Sequence, residues 1–259
     1  MNRINQLFQN KKGNILSVYF TAGYPKKEAT TEIIRELAQQ GADLIEIGLP
    51  YSDPLADGPV IQASSQQAIN NGMTIPLLFS QLKDIRKEVA LPLIIMTYFN
   101  PVLVYGFENF CRKCSEAGID GLIIPDLPFS EYTNHYKSIC DKYDLRMVML
   151  ITPQTSSDRV HQIDNATDGF IYMVSSASTT GAKAEFNADQ ISYFHRIKNM
   201  NLKNPCLTGF GISNQKTLSS AFTYSNGAIV GSRFIQHLSN CNSYKEAVNA
   251  LFIDLGIKQ

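Results

Sequence analysis

Apolar residues along the chain fall into eight short, strand-like runs, at positions 15–21, 43–49, 93–98, 121–125, 146–152, 169–175, 205–209 and 228–231. Between them the rhythm changes. Segments 26–40, 107–117, 131–143, 189–200, 214–224 and 243–255 return an apolar residue every three or four positions, the spacing of an amphipathic helix. The connection from the second run to the third holds two such patterns, 60–71 and 75–89. Strand alternating with helix from end to end predicts parallel strands joined by helical crossovers. Runs such as Leu122-Ile123-Ile124 are apolar on both faces, as strands are when helices cover one side and a closed interior the other.

An open doubly wound sheet gives a similar alternation, and two features favour closure over it. No G-x-G-x-x-G follows the first strand, where a dinucleotide-binding sheet would carry it. The last two strands run directly into glycine-containing polar turns, Gly209-Phe210-Gly211-Ile212-Ser213 and Gly231-Ser232, where (β/α)8 barrels hold phosphate. The expectation is therefore an α/β chain forming a single (β/α)8 TIM-barrel domain over residues 1–259. An extra N-terminal helix and an extra helix after the second strand complete it.

Composition sharpens this picture. Of 259 residues, 44% are hydrophobic and 18% charged, enough apolar material for one large core. Lys+Arg and Asp+Glu both number 23, so no net field draws the chain to nucleic acid or an anionic membrane, and any anion must be held locally. Residues 1–12 lack the continuous apolar stretch of a signal peptide, and no segment reaches the roughly 20 apolar residues of a membrane span. A cytoplasmic location is the expectation. The five cysteines, Cys111, Cys114, Cys140, Cys206 and Cys241, show no disulfide framework. Cys111 and Cys114 form a C-x-x-C inside a helical segment with neither a second pair nor a nearby histidine, so packing is favoured over metal or redox chemistry. His135, His161, His195 and His237 have no metal-ligand spacing either.

Barrel enzymes take their chemistry from the C-terminal ends of strands and the loops beyond. In Asp43-Leu44-Ile45-Glu46-Ile47-Gly48-Leu49, alternation puts Leu44, Glu46 and Gly48 on one face. A carboxyl there is poorly solvated, which raises its pKa towards the range of a general acid-base; a cross-barrel ion pair is the competing reading. The next loop, with prolines at 50, 54 and 59, is stiff and carries Asp53 and Asp57. Either aspartate could serve a substrate, form a turn, or cap the helix that begins near Val60. Gly211, Gly231 and Ser232 offer backbone N–H groups for an anion, and the Ser/Thr-rich stretch 175–181 adds a third loop. Tyr172, in the sixth strand, is a site residue or a core aromatic. Asp126 and Asn100 sit at similar positions, as site or capping residues.

The string from Ala42 to Pro59, ADLIEIGLPYSDPLADGP, closely resembles the signature of tryptophan synthase α subunits. Further resemblance runs in order through Phe20-Thr21-Ala22-Gly23-Tyr24-Pro25, Pro125-Asp126-Leu127-Pro128, Thr180-Gly181 and the Gly209–Ser213 turn. The resemblance implies a lyase of tryptophan biosynthesis that cleaves indole-3-glycerol phosphate to indole and glyceraldehyde 3-phosphate. It implies Glu46 as the acid-base carboxylate and Asp57 as the acceptor of the indole N–H. Tyr172, Thr180 and Phe210 would contact substrate, and Gly181, Gly211, Gly231 and Ser232 would hold the phosphate. Asp53 and Leu55 would lie on a loop facing a β subunit in an αββα heterotetramer. The resemblance implies no cofactor or metal in this chain, the pyridoxal phosphate belonging to the β partner. Two departures are the serines at 176 and 178, where many members have Arg and Gly, and Tyr51 in place of a commoner Phe.

Overall fold

In the computed structural model, which describes residues 1–175 and 185–258, eight parallel strands close into a barrel in sequence order. They are β1 (Ile15–Thr21), β2 (Leu44–Gly48), β3 (Leu93–Met96), β4 (Gly121–Ile123), β5 (Arg146–Ile151), β6 (Ile171–Val174), β7 (Cys206–Gly209) and β8 (Gly227–Val230). β1 pairs with both β2 and β8, so the sheet has no free edge. All eight expected runs became strands: β1 matches its run residue for residue, β8 lies one residue earlier than expected, and the other six are trimmed at one or both ends.

Among the described residues the helices begin with α1 (Arg3–Asn10), α2 (Ala29–Gln40), α3 (Pro59–Asn70), α4 (Ile75–Leu82), α5 (Phe99–Tyr105) and α6 (Phe107–Glu116). They continue as α7 (Phe129–Glu131), α8 (Lys137–Lys142), α9 (Ser157–Ala166), α10 (Ala188–Lys198), α11 (Gln215–Tyr224), α12 (Ser232–Asn240) and α13 (Tyr244–Asp254). The pattern at 75–89 breaks after α4 into a single 3-10 turn, Ile85–Lys87. A π turn, Tyr132–Tyr136, joins α7 to α8 in the segment expected to be one helix. Asn214 and Ser243, expected as first helical residues, are instead N-caps whose side chains accept from Thr217 N and Glu246 N. Short polar side chains stabilise that position by satisfying an otherwise orphaned N–H.

Apolar side chains divide into two layers. Ile45 and Ile47 of β2 face the outer layer, between strands and helices, whereas Leu44 faces the barrel interior. The interior layer gathers Ile15, Leu44, Ile94, Ile123, Val148, Phe170, Leu207 and Ile229, and α1 inserts Ile4 and Phe8 into it. Phe8 packs on Phe170 with ring centroids 5.8 Å apart. The helix is pinned by polar contacts as well. Asn2 Nδ2 donates to the carbonyls of Asp120 (2.9 Å) and Asp144 (2.7 Å), and Arg3 pairs with the Asp120 carboxylate at 3.0 Å. Asp120 also binds Arg86 and accepts from Leu93 N, which ties the start of β3 to the same closure. α1 thus stoppers the N-terminal mouth, and the polar interior lies towards the opposite one.

Four of the five cysteines are buried and all are free thiols. Burial pushes Cys114 well above its ordinary value and Cys206 up to about 12, which suits packing and not thiolate chemistry. Among the described residues no cluster of His, Cys, Asp or Glu could hold a metal ion, and no helix is long and apolar enough to cross a membrane.

Ile4 is fully buried beneath the barrel. Ile4→Ala is expected to destabilise the chain by about 2–5 kcal/mol in urea unfolding, through lost burial and the cavity left behind. A cost below about 1 kcal/mol would mean that α1 does not close the core.

Candidate active site

The site begins with parity along β1 and β2. Ile15 lies in the interior layer, so Ser17, Tyr19 and Thr21 share its face, as Glu46 and Gly48 share that of Leu44. The pairing of Tyr19 with Glu46 and of Thr21 with Gly48 sets these polar groups side by side. Glu46 is fully buried. Its Oε1 accepts from the Ser17 hydroxyl at 2.7 Å, and its Oε2 is buried without a hydrogen-bond partner. No cation answers it among the described residues, so the ion-pair reading gives way to a lone interior carboxyl. Burial raises its pKa to about 7, against which the Ser17 hydrogen bond works in the opposite direction.

Asp57 reaches the site from the loop after β2 and is also buried. Its Oδ2 accepts from the Tyr98 hydroxyl at 3.0 Å, and that hydroxyl accepts from Ala56 N at 3.0 Å. One tyrosine therefore holds both the backbone and the carboxylate of the loop. Tyr51 packs its ring on Tyr98 with centroids 5.2 Å apart. Burial raises the Asp57 pKa, and the Tyr98 hydrogen bond favours the charged form. The capping alternative does not hold for this residue: the N-cap of α3 is Gly58, with no side-chain cap. Asp53 is exposed and accepts from the neighbouring Ser52 hydroxyl at 2.5 Å, and Leu55 stands 92% exposed. Asp126 is the capping residue of its pair of alternatives, accepting from Phe99 N at 2.8 Å, while Asn100 is an exposed residue of α5.

Tyr172 is buried on β6, and the nearby charges of Glu46 and Asp57 join burial in pushing its hydroxyl pKa far up. Tyr19 responds to the same two carboxylates. Two glycines make room for these rings. A Cβ on Gly48 would collide with the Tyr19 hydroxyl, and one on Gly209 with that of Tyr172. Phe210 follows Gly209 in a left-handed conformation (φ 67°), with its ring edge-on to Tyr172 at 6.3 Å. The Ser175 hydroxyl donates to the Phe210 carbonyl at 2.6 Å and joins the loop after β6 to the turn after β7.

Gly211 is also left-handed (φ 79°) and continues that turn. β7 and β8 pair Thr208 with Ala228, so Gly211 and Gly231 lie equally far beyond the pair on adjacent strands. Gly231 is the N-cap of α12 and Ser232 its first residue, which points the free N–H groups of a helix start at this mouth. Thr180 and Gly181, with Ser176 and Ser178, lie outside the described residues.

A sequence profile of the family described as tryptophan synthase alpha chain matches residues 5–256. The chain belongs to the tryptophan synthase alpha chain family. It is 60% identical to the tryptophan synthase alpha chain of Flavobacterium johnsoniae over 245 residues, covering 95% of this chain and 96% of that one. With the Bacteroides fragilis alpha chain it shares 54% over 251 residues, covering 97% and 95%. Among solved structures, tryptophan synthase from Mycobacterium tuberculosis superposes with a TM-score of 0.85 at 27% identity, covering 98% of each chain. A tryptophan synthase complex from Pyrococcus furiosus gives 0.85 at 30% identity, covering 94% of this chain and 98% of that one. The family cleaves indole-3-glycerol phosphate, and this alpha chain is a carbon–carbon lyase of tryptophan biosynthesis.

The fold therefore brings Glu46, Asp57, Tyr172 and Phe210 to one mouth of the alpha-chain barrel, with Gly211, Gly231 and Ser232 at the turns after β7 and β8. Sequence reasoning missed Ser17, Tyr19 and Tyr98. The polar residues at alternate positions of β1 were the available signal, because an interior strand face is otherwise apolar.

The raised pKa of Glu46 has a stability consequence with a definite sign. Below the ordinary value of 4.5 the carboxyl is protonated whether folded or not, and burial carries no ionic penalty. As pH rises from there through about 7, the unfolded chain loses the proton first and stability falls. Glu46→Gln cannot ionise, so its stability relative to wild type should rise between pH 4 and pH 8 by on the order of 3 kcal/mol. Urea unfolding of both proteins at the two pH values measures this, and a difference independent of pH would contradict the shift.

Proposed function

We propose that Glu46 and Asp57 carry the alpha-chain reaction, and that the turns after β6, β7 and β8 hold the phosphate of the substrate. The observation that carries the reading is the interior carboxyl of Glu46, poised near neutrality with one oxygen unpartnered and Asp57 buried at the same mouth. Protonated Glu46 delivers its proton to indole C3, which breaks the aromaticity of the pyrrole ring and makes it an electron sink. The resulting carboxylate takes the proton of the glycerol hydroxyl next to the bond being cleaved. The carbon–carbon bond breaks, its electrons restore indole, the aldehyde of glyceraldehyde 3-phosphate forms, and Glu46 is again protonated. Asp57 accepts the indole N–H and offsets the positive charge that develops on the ring.

Tyr172 and Phe210 flank the indole and, with Thr180, contact the substrate. Gly181, Gly211, Gly231 and Ser232 bind phosphate through backbone N–H groups, aided by the positive end of the α12 dipole. The chemistry assigned here uses only this chain's own side chains, without metal or cofactor.

The partner in this reading is a β subunit carrying pyridoxal phosphate, in an αββα assembly that receives indole in the cytoplasm. Apolar exposure on the loop that carries Asp57 and on α5, which follows the Tyr98 that binds Asp57, supports a docking surface there. Leu55 is 92% exposed and Val104 of α5 82%. α5 begins one residue after Tyr98, whose hydroxyl is bonded to the loop that carries Leu55 and Asp53. A surface that meets a partner through these residues would sense the position of Asp57.

Indole release from indole-3-glycerol phosphate by the purified chain, with and without a β subunit, tests the assignment. Wild type should release indole with kcat/KM falling as pH rises through about 7, and Glu46→Gln should lose at least about 100-fold. Substrate binding without release in the wild-type chain under either condition would overturn it. For the surface, Leu55→Asp and Val104→Asp should each weaken association with the β subunit at least about tenfold in titration calorimetry while sparing unassisted cleavage. Unchanged affinity in both would place the interface elsewhere.

A further inference from the structure

Ser17 is a polar residue where a barrel strand has no packing need for one. Its position on β1 faces the interior and is fully buried. Alanine would fill nearly the same volume there, and apolar residues dominate such layers. A buried hydroxyl is costly unless it is hydrogen-bonded. The Ser17 hydroxyl finds its acceptor in Glu46 Oε1 at 2.7 Å, within the range of a charge-assisted bond.

That bond divides the two oxygens of the carboxyl. Oε1 accepts from Ser17, whereas Oε2 is buried with no partner. The carbonyl oxygen of a carboxylic acid is a better acceptor than its hydroxyl oxygen, so a donor on Oε1 favours the acid form of Glu46 with its proton on Oε2. The bond also fixes the end of a side chain with three rotatable torsions, and among the described residues the carboxyl makes no other hydrogen bond.

We propose that Ser17 is the positioning residue of Glu46, holding Oε1 so that Oε2 is the single oxygen that exchanges protons with the substrate. The proposal rests on the assignment of Glu46 as proton carrier. Tyr19 of β1, Tyr98 beyond β3, Tyr172 of β6 and Asp57 of the loop after β2 are the other titratable groups of the site. Burial holds the three phenols in their neutral form throughout the assay range, so Asp57 is the one further group that can ionise there. Ile94, the β3 residue paired with Glu46, has no charge.

The same hydrogen bond stabilises the carboxylate and so opposes the effect of burial. Its removal moves the ionisation of Glu46 upward. The test uses the full chain with indole-3-glycerol phosphate, comparing wild type, Ser17→Ala and Ser17→Thr. Ser17→Ala should lower kcat about 10- to 100-fold with KM changed less than about twofold, since the bond acts in proton transfer and not in substrate binding. The fall of kcat/KM with pH should shift to higher pH by about 1 unit, the size of the lost hydrogen bond. Ser17→Thr keeps the hydroxyl and should recover the wild-type pH profile and most of kcat.

Two patterns would overturn the proposal while leaving Glu46 as the proton carrier. One is an active wild type whose rate and pH profile survive Ser17→Ala unchanged. The other is an equal loss in the alanine and threonine variants with unshifted profiles and lowered thermal midpoints, which marks Ser17 as packing alone. A wild-type chain that binds substrate but releases no indole sinks the Glu46 assignment and this inference together, and so is told apart from both.

Discussion

A carboxyl group inside a hydrophobic barrel is the constraint around which this alpha chain is arranged. Removing Glu46 from water costs free energy whenever it is ionised, and among the described residues no cation offsets that cost. The fold supplies one hydroxyl instead, Ser17, and leaves the other oxygen without a bond. A salt bridge would hold the group permanently charged, and a fully apolar pocket would hold it permanently protonated. One neutral donor against complete burial leaves it between those states, the condition for giving and taking a proton in one turnover.

The rest of the structure makes that placement tolerable. α1 closes the N-terminal mouth with Ile4 and Phe8 and ties itself to Asp120, so the apolar layers below Glu46 remain sealed. Space near Glu46 comes from glycine, since Gly48 and Gly209 lack the Cβ that would strike the Tyr19 and Tyr172 hydroxyls. The two tyrosines then line the same interior as Glu46 and Asp57, whose negative charge raises the cost of ionising them. Tyr98 connects this interior to the outside, because its hydroxyl holds Asp57 and Ala56 while its backbone is the N-cap of α5. The Tyr51 hydroxyl has no role that the structure explains, although its ring stacks on Tyr98.

Alternation of short apolar runs with helical spacing was enough to set the number and order of strands, because burial on both faces leaves a continuous apolar mark. It was less reliable at element ends. Asn214 and Ser243 read as helix and proved to be caps, and the segment 75–89 broke at a 3-10 turn. Local hydrogen bonds decide such boundaries, and hydrophobic periodicity carries no record of them. Several helices outside the periodic pattern also formed, α5 and α9 among them; α9 starts at a Ser156 cap, a local signal that hydrophobic spacing does not carry.

For the site, the sequence by itself determined that Glu46 shares a strand face with Leu44 and Gly48, and that the loop holding Asp57 is stiff. The position of the glycine turns after the last two strands was also legible, and all three depend on residues close together in the chain. It left open whether Glu46 was paired with a cation, whether Asp57 capped a helix, and which oxygen of Glu46 lacked a hydrogen-bond partner. Only the tertiary structure decided these, by closing β1 against β2 and bringing Tyr98 against a loop 41 residues away. Their physical basis is that ionisation and orientation depend on burial and on partners within a few ångströms, and chain order does not specify who those partners are.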